Sequence, residues 1–404
     1  MKILHTADWH FGAQLGPYSR LSEQHLFVDQ LCDIVDEHAV DMAIVAWDIF
    51  DVQNPSAAAL ALYFKAIAAL GRRKIPIILV IGNHDSPERL LAPVPAVAGL
   101  GAAVFASPGC MPSAFSCENF TMRPLGAGVV EISFKKLGQT AVVAAMPFIS
   151  EKSLNEAIFS ANSEREMQKE YSAKIQELFA ARAAYFRHDT VNIAAGHFHI
   201  AGGEASGGAE RDIILGGSFA VHPTAIPAAD YVAMGHLHRP QKLRTGPGRA
   251  HLAHYAGSPL AYSLSERGYP KGVYLADLAA GQAAHVEKIP LDCPMPIELW
   301  EVATAADAVE KCAAAGHGYK YIRIVEEVSL NPADIKEMRR LAPNIVSIDI
   351  GEAQAGLGAA DYANVQILEP RAEFADFYTT IRGAAPKKEV MAVFDEILQG
   401  EDEI

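Results

Sequence analysis

Apolar, strand-like runs that end in aspartate, histidine or asparagine recur along this chain of 404 residues. In one of them, residues 76–80 (PIILV) are followed by Asn83, His84 and Asp85. A polar cluster straight after a buried strand is where α/β proteins place catalytic groups. The same chemistry follows other apolar runs, at Asp8-Trp9-His10, at Asp48 with Asp51, and at His236-Leu237-His238.

The order of these runs predicts an α/β fold. Residues 2–6, 42–46 and 76–80 have the pattern of buried strands, and two helical patterns separate them, the second beginning near Pro55. Alternation of strand and helix implies parallel pairing with right-handed crossovers. The polar ends of such strands are then expected along one rim of a sheet.

The residue types at these strand ends suit a metal ion. Asp8 and His10 are two apart, so in an extended backbone their side chains share one side and make half of a site for Mn²⁺, Fe²⁺ or Zn²⁺. Taken singly, each residue has a structural alternative, such as a turn aspartate or a surface histidine. Seven such residues all lie at the ends of predicted strands, and together they predict a metal site: Asp8, His10, Asp48, Asn83, His197, His236 and His238.

Composition and charge exclude several classes of protein. The net charge of −14 disfavours non-specific polyanion binding by the whole chain, and leaves open a local basic groove, a metal site or a positively charged partner. The five cysteines form no C-x-x-C pair, which argues against a disulfide framework and a structural zinc site. No apolar run reaches the ~20 residues that span a bilayer, and a signal-peptide pattern is missing, so a cytoplasmic location is expected.

A change of composition near residue 280 predicts several domains. Residues 1–280 form the strand-rich unit, and residues 281–352 have the pattern of a small α+β domain. Residues 353–370 are predicted to be a linker that includes a Gly/Ala-rich stretch. Residues 371–404 contain two short amphipathic helical patterns, which cannot bury both apolar faces alone. They are expected to dock on a partner, and a lid packed on the parent domain is the alternative.

The motifs D-x-H, D-x-x-D, G-N-H-D and G-H-x-H, in that order, resemble those of the calcineurin-like metallophosphoesterases. That family implies a β-sandwich flanked by helices. Residues 4–12 (LHTADWHFG), 235–241 (GHLHRPQ) and 257–263 (GSPLAYS) are similar to the SbcD family of bacterial nuclease subunits. The resemblance covers the whole chain and implies a capping domain, a homodimer, and C-terminal helices that dock on an SbcC-type ATPase.

The resemblance also implies roles for individual residues. It assigns two metal sites that share one bridging carboxylate: Asp8, His10, Asp48 and His238 for one, and Asp48, Asn83, His197 and His236 for the other. Mixed nitrogen and oxygen ligands suit two Mn²⁺ ions, with other divalent metals as alternatives, and ions roughly 3.5–4 Å apart can clamp both the attacking and the leaving oxygen. His84, held by Asp85, would assist the leaving oxygen as a catalytic acid or stabilise the developing charge.

Trp47 departs from the family pattern, in which glycine precedes the bridging aspartate. Glycine lets the backbone pass close to the metals and tolerates positive φ, whereas a bulky residue at positive φ is strained. Two outcomes stay open. The indole points away from the site and is harmless, or it displaces Asp48 and weakens both metal sites.

The leading hypothesis is a Mn²⁺-dependent DNA nuclease subunit, a 3′–5′ double-strand exonuclease and single-strand or hairpin endonuclease, coupled to an ATPase in DNA repair and recombination. The capping domain and C-terminal helices favour it, because a simple phosphatase needs neither. A small-molecule phosphodiesterase or phosphatase is the alternative, and Trp47 alone supports a third hypothesis, an impaired scaffold that binds DNA ends. His199 has no role assigned by the resemblance and, like His5, is expected to be structural.

Overall fold

A computed structural model describes residues 1–86, 89, 94–149, 164–206, 220–246, 252–326, 329–351, 386 and 390–391. The chain divides into two compact units, Met1–Ala353 and Gln354–Ile404. Almost all of the second unit lies outside the described residues, so the predicted linker (353–370) and C-terminal helices (371–404) stay predictions. None of the helices in the described ranges has the length and apolarity that crossing a membrane requires.

The described strands are β1 (Lys2–Ala7), β2 (Gln14–Leu15), β3 (Tyr18–Ser19), β4 (Met42–Ala46), β5 (Ile77–Val80), β6 (Ala102–Phe105), β7 (Phe115–Ser116), β8 (Phe120–Gly126), β9 (Val129–Phe134), β10 (Gln139–Met146), β11 (Val191–His197), β12 (Tyr231–Gly235), β13 (Gln241–Arg244), β14 (Leu252–Tyr255), β15 (Gly272–Asp277), β16 (His285–Pro290), β17 (Ile297–Val302), β18 (Tyr319–Ile324) and β19 (Ile345–Ile350). The described helices are α1 (Leu21–Glu37), α2 (Ala57–Arg72), α3 (Val94–Ala98), α4 (Glu164–Ala183), α5 (Ala305–Ala313) and α6 (Pro332–Leu341).

Two sheets form the main body. The first has the order β16-β15-β1-β4-β5-β6, and its strands β1, β4, β5 and β6 are parallel, as the alternation of strand and helix predicts. The second has the order β13-β14-β12-β11-β10-β9-β8-β7, with β10, β11, β12 and β14 parallel. Residues 99–128 are rich in glycine, proline and serine, a pattern that predicts an irregular segment, but they include β6, β7 and β8. Short strands between glycine and proline turns give little periodic signal.

The parallel strands of the first sheet are buried on both faces, which explains why β4, β5 and β6 are continuous apolar runs. Along β1 and β4, Leu4 and Val45 pack against helices α1 and α2, while Ile3 and Ile44 pack against the second sheet. Helix α4 covers the far face of the second sheet through Phe179. The result is a helix–sheet–sheet–helix arrangement, which confirms the predicted α/β sandwich flanked by helices.

A third sheet, β17-β18-β19, is parallel and has its own core of Trp300, Ile322 and Met338 under helices α5 and α6. This is the α+β pattern expected for the capping region. Strand β16 pairs with β15 and carries the first sheet past residue 280, where the predicted phosphoesterase domain ends. The domain boundaries at 280 and 352 stay predictions.

Candidate metal centre

The carboxyl ends of strands from the two main sheets converge on one place, since β11 and β12 pack across from β4 and β1. The side chains gathered there include all seven predicted ligands: Asp8 and His10 after β1, Asp48 after β4, Asn83 after β5, His197 at the end of β11, and His236 and His238 after β12.

Asp48 lies at the centre of this cluster. Two groups of potential ligands, each with ligand atoms within 4.8 Å of one another, both include it: His10, Asp48 and His84, and Asp8, Asp48 and His197. Its Oδ2 atom lies 3.4 Å from His197 Nε2 and 3.9 Å from His10 Nε2. A carboxylate shared by two ligand groups has the position that a bridging ligand needs.

Backbone amides fix one oxygen of each buried aspartate. The amide of His236 donates to Asp8 Oδ1 at 2.9 Å, and the amide of His84 donates to Asp48 Oδ1 at 2.9 Å. The second oxygen of Asp8 is buried without a hydrogen-bond partner. A buried, unpartnered carboxylate oxygen is costly unless a cation or another donor meets it.

The ring nitrogens of the cluster face one another or face amide oxygen. His10 Nε2 and His238 Nε2 are 3.0 Å apart, and His197 Nε2 lies 3.3 Å from His236 Nδ1. Asn83 Oδ1 lies 3.2 Å from His197 Nε2 and 3.1 Å from His236 Nδ1. Converging nitrogen and oxygen donors, together with the unpartnered Asp8 oxygen, fit divalent metal ions with a mixed N/O ligand preference.

Three of the cluster residues have left-handed backbone. Asp8 has φ of 50°, His10 has φ of 46° and His236 has φ of 99°. Non-glycine residues rarely adopt positive φ, and such strain persists where the surrounding structure holds it, often at functional sites. The expectation that Asp8 and His10 share one side of an extended backbone is therefore wrong, because the chain leaves the strand conformation at Asp8 and again at His10.

Two glycines allow the chain to close around Asp48. A Cβ atom on Gly82 would lie 2.1 Å from Asp48 Oδ1 and 2.3 Å from the Trp47 carbonyl oxygen. A Cβ atom on Gly235 would lie 1.9 Å from the carbonyl oxygen of Ala46, in the opposite sheet. Any larger residue at either position would push the two sheets or the ligand loop apart.

The environment sets the protonation of the central groups. Burial opposes ionisation of Asp48, yet His197 and His84 hold its pKa below its usual range. Burial raises the pKa of Asp8 to about 6 and lowers that of His10 well below its usual value. A neutral imidazole and an ionised carboxylate are the forms in which His10 and Asp48 would bind metal.

Trp47 points into the core, away from Asp48's ligand atoms. The indole is fully buried in the cluster between the first sheet and the helices, edge-on to Tyr63 with ring centroids 6.0 Å apart. The φ angle of Trp47 is not positive, so the glycine of the family pattern is not needed for backbone conformation. The indole therefore points away from the site, as in the first of the two outcomes left open by the sequence.

His84 has a different partner from the one predicted. The backbone carbonyl of Asp51 accepts a hydrogen bond from His84 Nδ1 at 2.9 Å. The Asp85 carboxylate instead accepts from the amides of Ile49 at 3.2 Å and Phe50 at 3.1 Å. Asp85 therefore supports the loop that carries Asp48, and the expectation that it holds the His84 ring is wrong. The cause is that the segment after β4 folds back over β5, which puts backbone amides beside Asp85.

His5 and His199, the two histidines that the sequence analysis expects to be structural, lie outside the converging ligand set. His5 is buried between the two main sheets, where its Nδ1 is 3.0 Å from the hydroxyl of Tyr231. His199 is half-buried, and its Nε2 donates to the carbonyl of Gly203 at 3.2 Å.

Glu266 is a site residue that the sequence reasoning missed. It is fully buried, and its Oε1 lies 3.1 Å from Nδ1 of the predicted ligand His238. The only local signal is the spacing Ser263-x-x-Glu266, which resembles a capping box and predicts a turn. Nothing in that pattern places Glu266 beside a residue 28 positions earlier.

Proteins of one family resemble this chain over most or all of its length. A family model described as calcineurin-like phosphoesterase matches residues 1–240. The SbcD protein of Bacillus subtilis (strain 168), a subunit of the nuclease SbcCD, is 34% identical over 414 residues, which cover 100% of this chain and 99% of its own. The chain belongs to this SbcD family of calcineurin-like phosphoesterases.

Other SbcD relatives match most of the chain as well. The SbcD nuclease subunit of Rhodobacter capsulatus is 38% identical, over 74% of this chain and 71% of its own. That of Escherichia coli (strain K12) is 31% identical, over 77% of this chain and 74% of its own. As a calcineurin-like phosphoesterase, the chain is a metal-dependent phosphodiester hydrolase, and its chemistry uses divalent metal ions.

Proposed function

We propose that the chain is the DNA nuclease subunit of an ATPase–nuclease complex. It would act in the cytoplasm in DNA repair and recombination, as a 3′–5′ double-strand exonuclease and a single-strand or hairpin endonuclease. The observation that carries the proposal is the convergence of six nitrogen- and oxygen-bearing side chains around Asp48, in a chain that aligns over its full length with a nuclease subunit.

We propose two Mn²⁺ ions as the cofactor, held by two residue sets that share Asp48: Asp8, His10, Asp48 and His238 for one, and Asp48, Asn83, His197 and His236 for the other. When bound, two divalent ions supply Lewis-acid stabilisation of the attacking and leaving oxygens. The unpartnered oxygen of Asp8 and the 3.0 Å approach of His10 Nε2 to His238 Nε2 support the first set. The shared contacts of Asn83 Oδ1 support the second.

His84 is proposed as the residue that handles the proton of the leaving oxygen. Its Nδ1–H is committed to the Asp51 carbonyl, so Nε2 is the atom available to substrate. Burial lowers the pKa of His84, but Asp48 and the Asp51 carbonyl outweigh burial and raise it. In the metal-free chain, the raised pKa favours the protonated ring that a general acid requires. Asp85 is proposed to act indirectly, by fixing the backbone after Asp48.

The partners are proposed on the relatives' names and on charge. The relatives are named as subunits of the nuclease SbcCD, so a second subunit, an SbcC-type ATPase, is the expected partner. A net charge of −14 fits a subunit that gains much of its DNA affinity from that partner. A homodimer of the nuclease subunit is proposed from the family resemblance.

The hypothesis of an impaired scaffold that binds DNA ends loses its support, because the indole of Trp47 is packed into the core.

Cleavage of end-labelled duplex and hairpin DNA in Mn²⁺ tests the proposal, with bis(p-nitrophenyl) phosphate as a compact substrate. The unmodified chain is expected to cut both DNAs. His84→Gln is expected to lose about 10²- to 10⁴-fold in rate, the usual contribution of a general acid, and to keep its bound Mn²⁺. His188→Gln, at an exposed position, is the matched control.

The outcomes separate the hypotheses. Hydrolysis of the small diester with no cleavage of either DNA would favour the small-molecule phosphodiesterase and overturn the nuclease proposal. Undiminished cleavage by His84→Gln would leave the nuclease proposal standing and remove the role given to His84.

A further inference from the structure

Glu266 sits in a fully enclosed polar network beside the metal centre. It lies at the end of a short 3₁₀ turn, Leu264–Glu266, and none of its surface reaches solvent. Its Oε2 accepts from Lys271 Nζ at 2.5 Å and from the hydroxyl of Ser258 at 2.9 Å. Its Oε1 accepts from the amide of Tyr262 at 3.2 Å. Both carboxylate oxygens are therefore held in place from several directions.

Lys271 completes the network from the strand side. It is buried just before β15, and its Nζ donates to Ser258 Oγ at 2.8 Å and to the carbonyl of His238 at 3.3 Å as well as to Glu266. Stability alone is a weak reason for such a pair, because replacing a buried ion pair with apolar groups is often neutral or stabilising. The geometry around His238 supplies another reason.

The network decides which nitrogen of His238 carries a proton. A buried carboxylate at 3.1 Å from Nδ1 accepts a hydrogen bond, so the proton of the neutral ring lies on Nδ1. Nε2 then carries the lone pair, and this is the atom that lies 3.0 Å from His10 Nε2. Metal-ligating histidines commonly donate their other ring N–H to a carboxylate in this way, which fixes both tautomer and ring orientation.

We infer that Glu266, held by Lys271 and Ser258, is a positioning residue that sets the tautomer and orientation of His238, and thereby the affinity of one of the two metal sites. The inference rests on the proposed function, in that it takes His238 as a ligand. It assigns no contact between Glu266 and either metal or substrate. The metal affinity of the site that includes His238 would depend on Glu266. The metal affinity of the site formed by Asp48, Asn83, His197 and His236 would not.

The first test observes the ring directly in the metal-free full-length chain. Long-range ¹H–¹⁵N spectra of ¹⁵N-histidine-labelled protein report the proton position on each ring, and His238→Gln assigns the resonance. We expect His238 to carry its proton on Nδ1 in the unmodified chain. A proton on Nε2 would overturn the inference without any reference to activity.

The second test titrates Mn²⁺ alone into the chain and follows both sites. Because Glu266→Gln alone leaves Lys271 buried without its carboxylate, the double variant Glu266→Gln/Lys271→Met is the informative one. We expect the double variant to bind Mn²⁺ about 10- to 100-fold more weakly at the site that includes His238, the usual effect of losing a carboxylate that holds a ligand histidine. At the site that includes His197 and His236, we expect the affinity to stay within twofold of that of the unmodified chain.

A matched control comes from the buried pair of Arg20 with Glu23, whose further partners are Ala261 and Tyr319 instead of a proposed ligand. Arg20→Met/Glu23→Gln removes the same charges and is expected to leave both Mn²⁺ affinities within twofold. Equal weakening of both sites in the two double variants, or no weakening in the Glu266 variant, would overturn the inference. An unmodified chain that binds no Mn²⁺ would instead overturn the proposed function.

Discussion

Trp47 shows how one residue can depart from a family pattern without reaching the site. Its backbone N–H donates to the carbonyl of Val80, while its indole fills space between the first sheet and helix α2. The indole N–H is buried without a hydrogen-bond partner, which costs about 1–3 kcal/mol. Burial of so large an apolar ring offsets that cost.

Trp47→Gly is therefore expected to damage stability and not chemistry. Emptying the space of a buried aromatic costs about 3–5 kcal/mol in the free energy of unfolding, as for other large-to-small changes. Urea denaturation measures this, and the number of bound Mn²⁺ ions is expected to stay unchanged in the folded fraction. Trp47→Phe, which keeps a ring and removes the unpartnered N–H, is the control and is expected to lose far less. Tighter Mn²⁺ binding by Trp47→Gly would show that the indole disturbs Asp48 after all.

At the scale of elements, the site depends on how closely strand ends approach each other. The turn after β5 passes Asp48 so tightly that residue 82 has no room for a side chain. The two sheets also touch through polar groups, since His5 on β1 meets Tyr231 on β12, and His254 on β14 lies edge-on to Tyr274 on β15 with ring centroids 5.6 Å apart. These contacts hold the two halves of the ligand set in register.

Gly82→Ala tests the tight approach of the β5 turn. The new Cβ would overlap Asp48 Oδ1, and relief of such overpacking typically costs about 1–3 kcal/mol and moves backbone. We expect the variant to fold and to lose Mn²⁺ affinity at both sites, because Asp48 belongs to both. Gly109→Ala is the matched control, since nothing lies within 4 Å of its Cβ position. Isothermal titration with Mn²⁺ makes the comparison, and equal affinities in the two variants would contradict it.

His5 predicts a pH dependence of stability. Burial, with a contribution from His254, lowers the pKa of His5 from 6.5 to about 3. Between these pH values, His5 takes up a proton in the unfolded chain but not in the folded chain. The contribution of His5 to the free energy of unfolding is therefore fully present above pH 6.5 and is lost as the pH falls towards 3. At 1.36 kcal/mol per pKa unit, His5 accounts for a loss of about 2–3 kcal/mol between about pH 7 and pH 4.5.

Urea denaturation at the two pH values measures this contribution. His5→Asn, which keeps a polar atom for the Tyr231 hydroxyl, is expected to be less stable at neutral pH and to lose less stability on acidification than the unmodified chain. His188→Asn, at an exposed position, is the control and is expected to keep the original pH dependence. An unchanged acid loss in His5→Asn would show that His5 does not titrate in this way.

At the scale of the whole first unit, a buried ion pair connects the third sheet to helix α1. Arg20 lies just before α1 and Glu23 lies in its first turn, with Arg20 Nε 2.6 Å from Glu23 Oε2. The hydroxyl of Tyr319 on β18 donates to Glu23 at 2.9 Å. The neighbouring Gln24 donates to the carbonyl of His10 at 2.7 Å. One turn of helix α1 thus contacts both the capping region and a ligand loop.

Tyr319→Phe tests this connection with the loss of a single hydroxyl. A hydrogen bond to a charged group contributes about 1.5–3 kcal/mol, and Glu23 keeps Arg20, so we expect a loss near the lower end of that range. Amide exchange should increase in β18 more than in β11, which lies in the second sheet. Tyr321→Phe, on the same strand and half-buried, is the control. Uniform exchange across both strands would show that Tyr319 stabilises the unit as a whole.

Sequence pattern alone predicts much of this protein because strand ends are local features. The runs before Asp48 and Asn83 are continuous and apolar, and the run before Asp8 is apolar except at Lys2, His5 and Thr6, so their strands, their parallel order and their polar ends could all be predicted. The family motifs add which histidines join them. These inferences need only residue type, spacing and the rule that parallel strands carry their carboxyl ends to one rim.

The tertiary structure decided the contacts between segments far apart in the chain. The direction of the Trp47 indole, the partner of His84 and the position of Glu266 behind His238 each depend on how a loop from one element packs on another. Spacing in the sequence fixes which face of a strand a side chain occupies, but the packing of two sheets against each other fixes which side chains meet. The sequence therefore determines the residue types of the proposed ligands, whereas the contacts that hold those ligands in place form only when the chain folds.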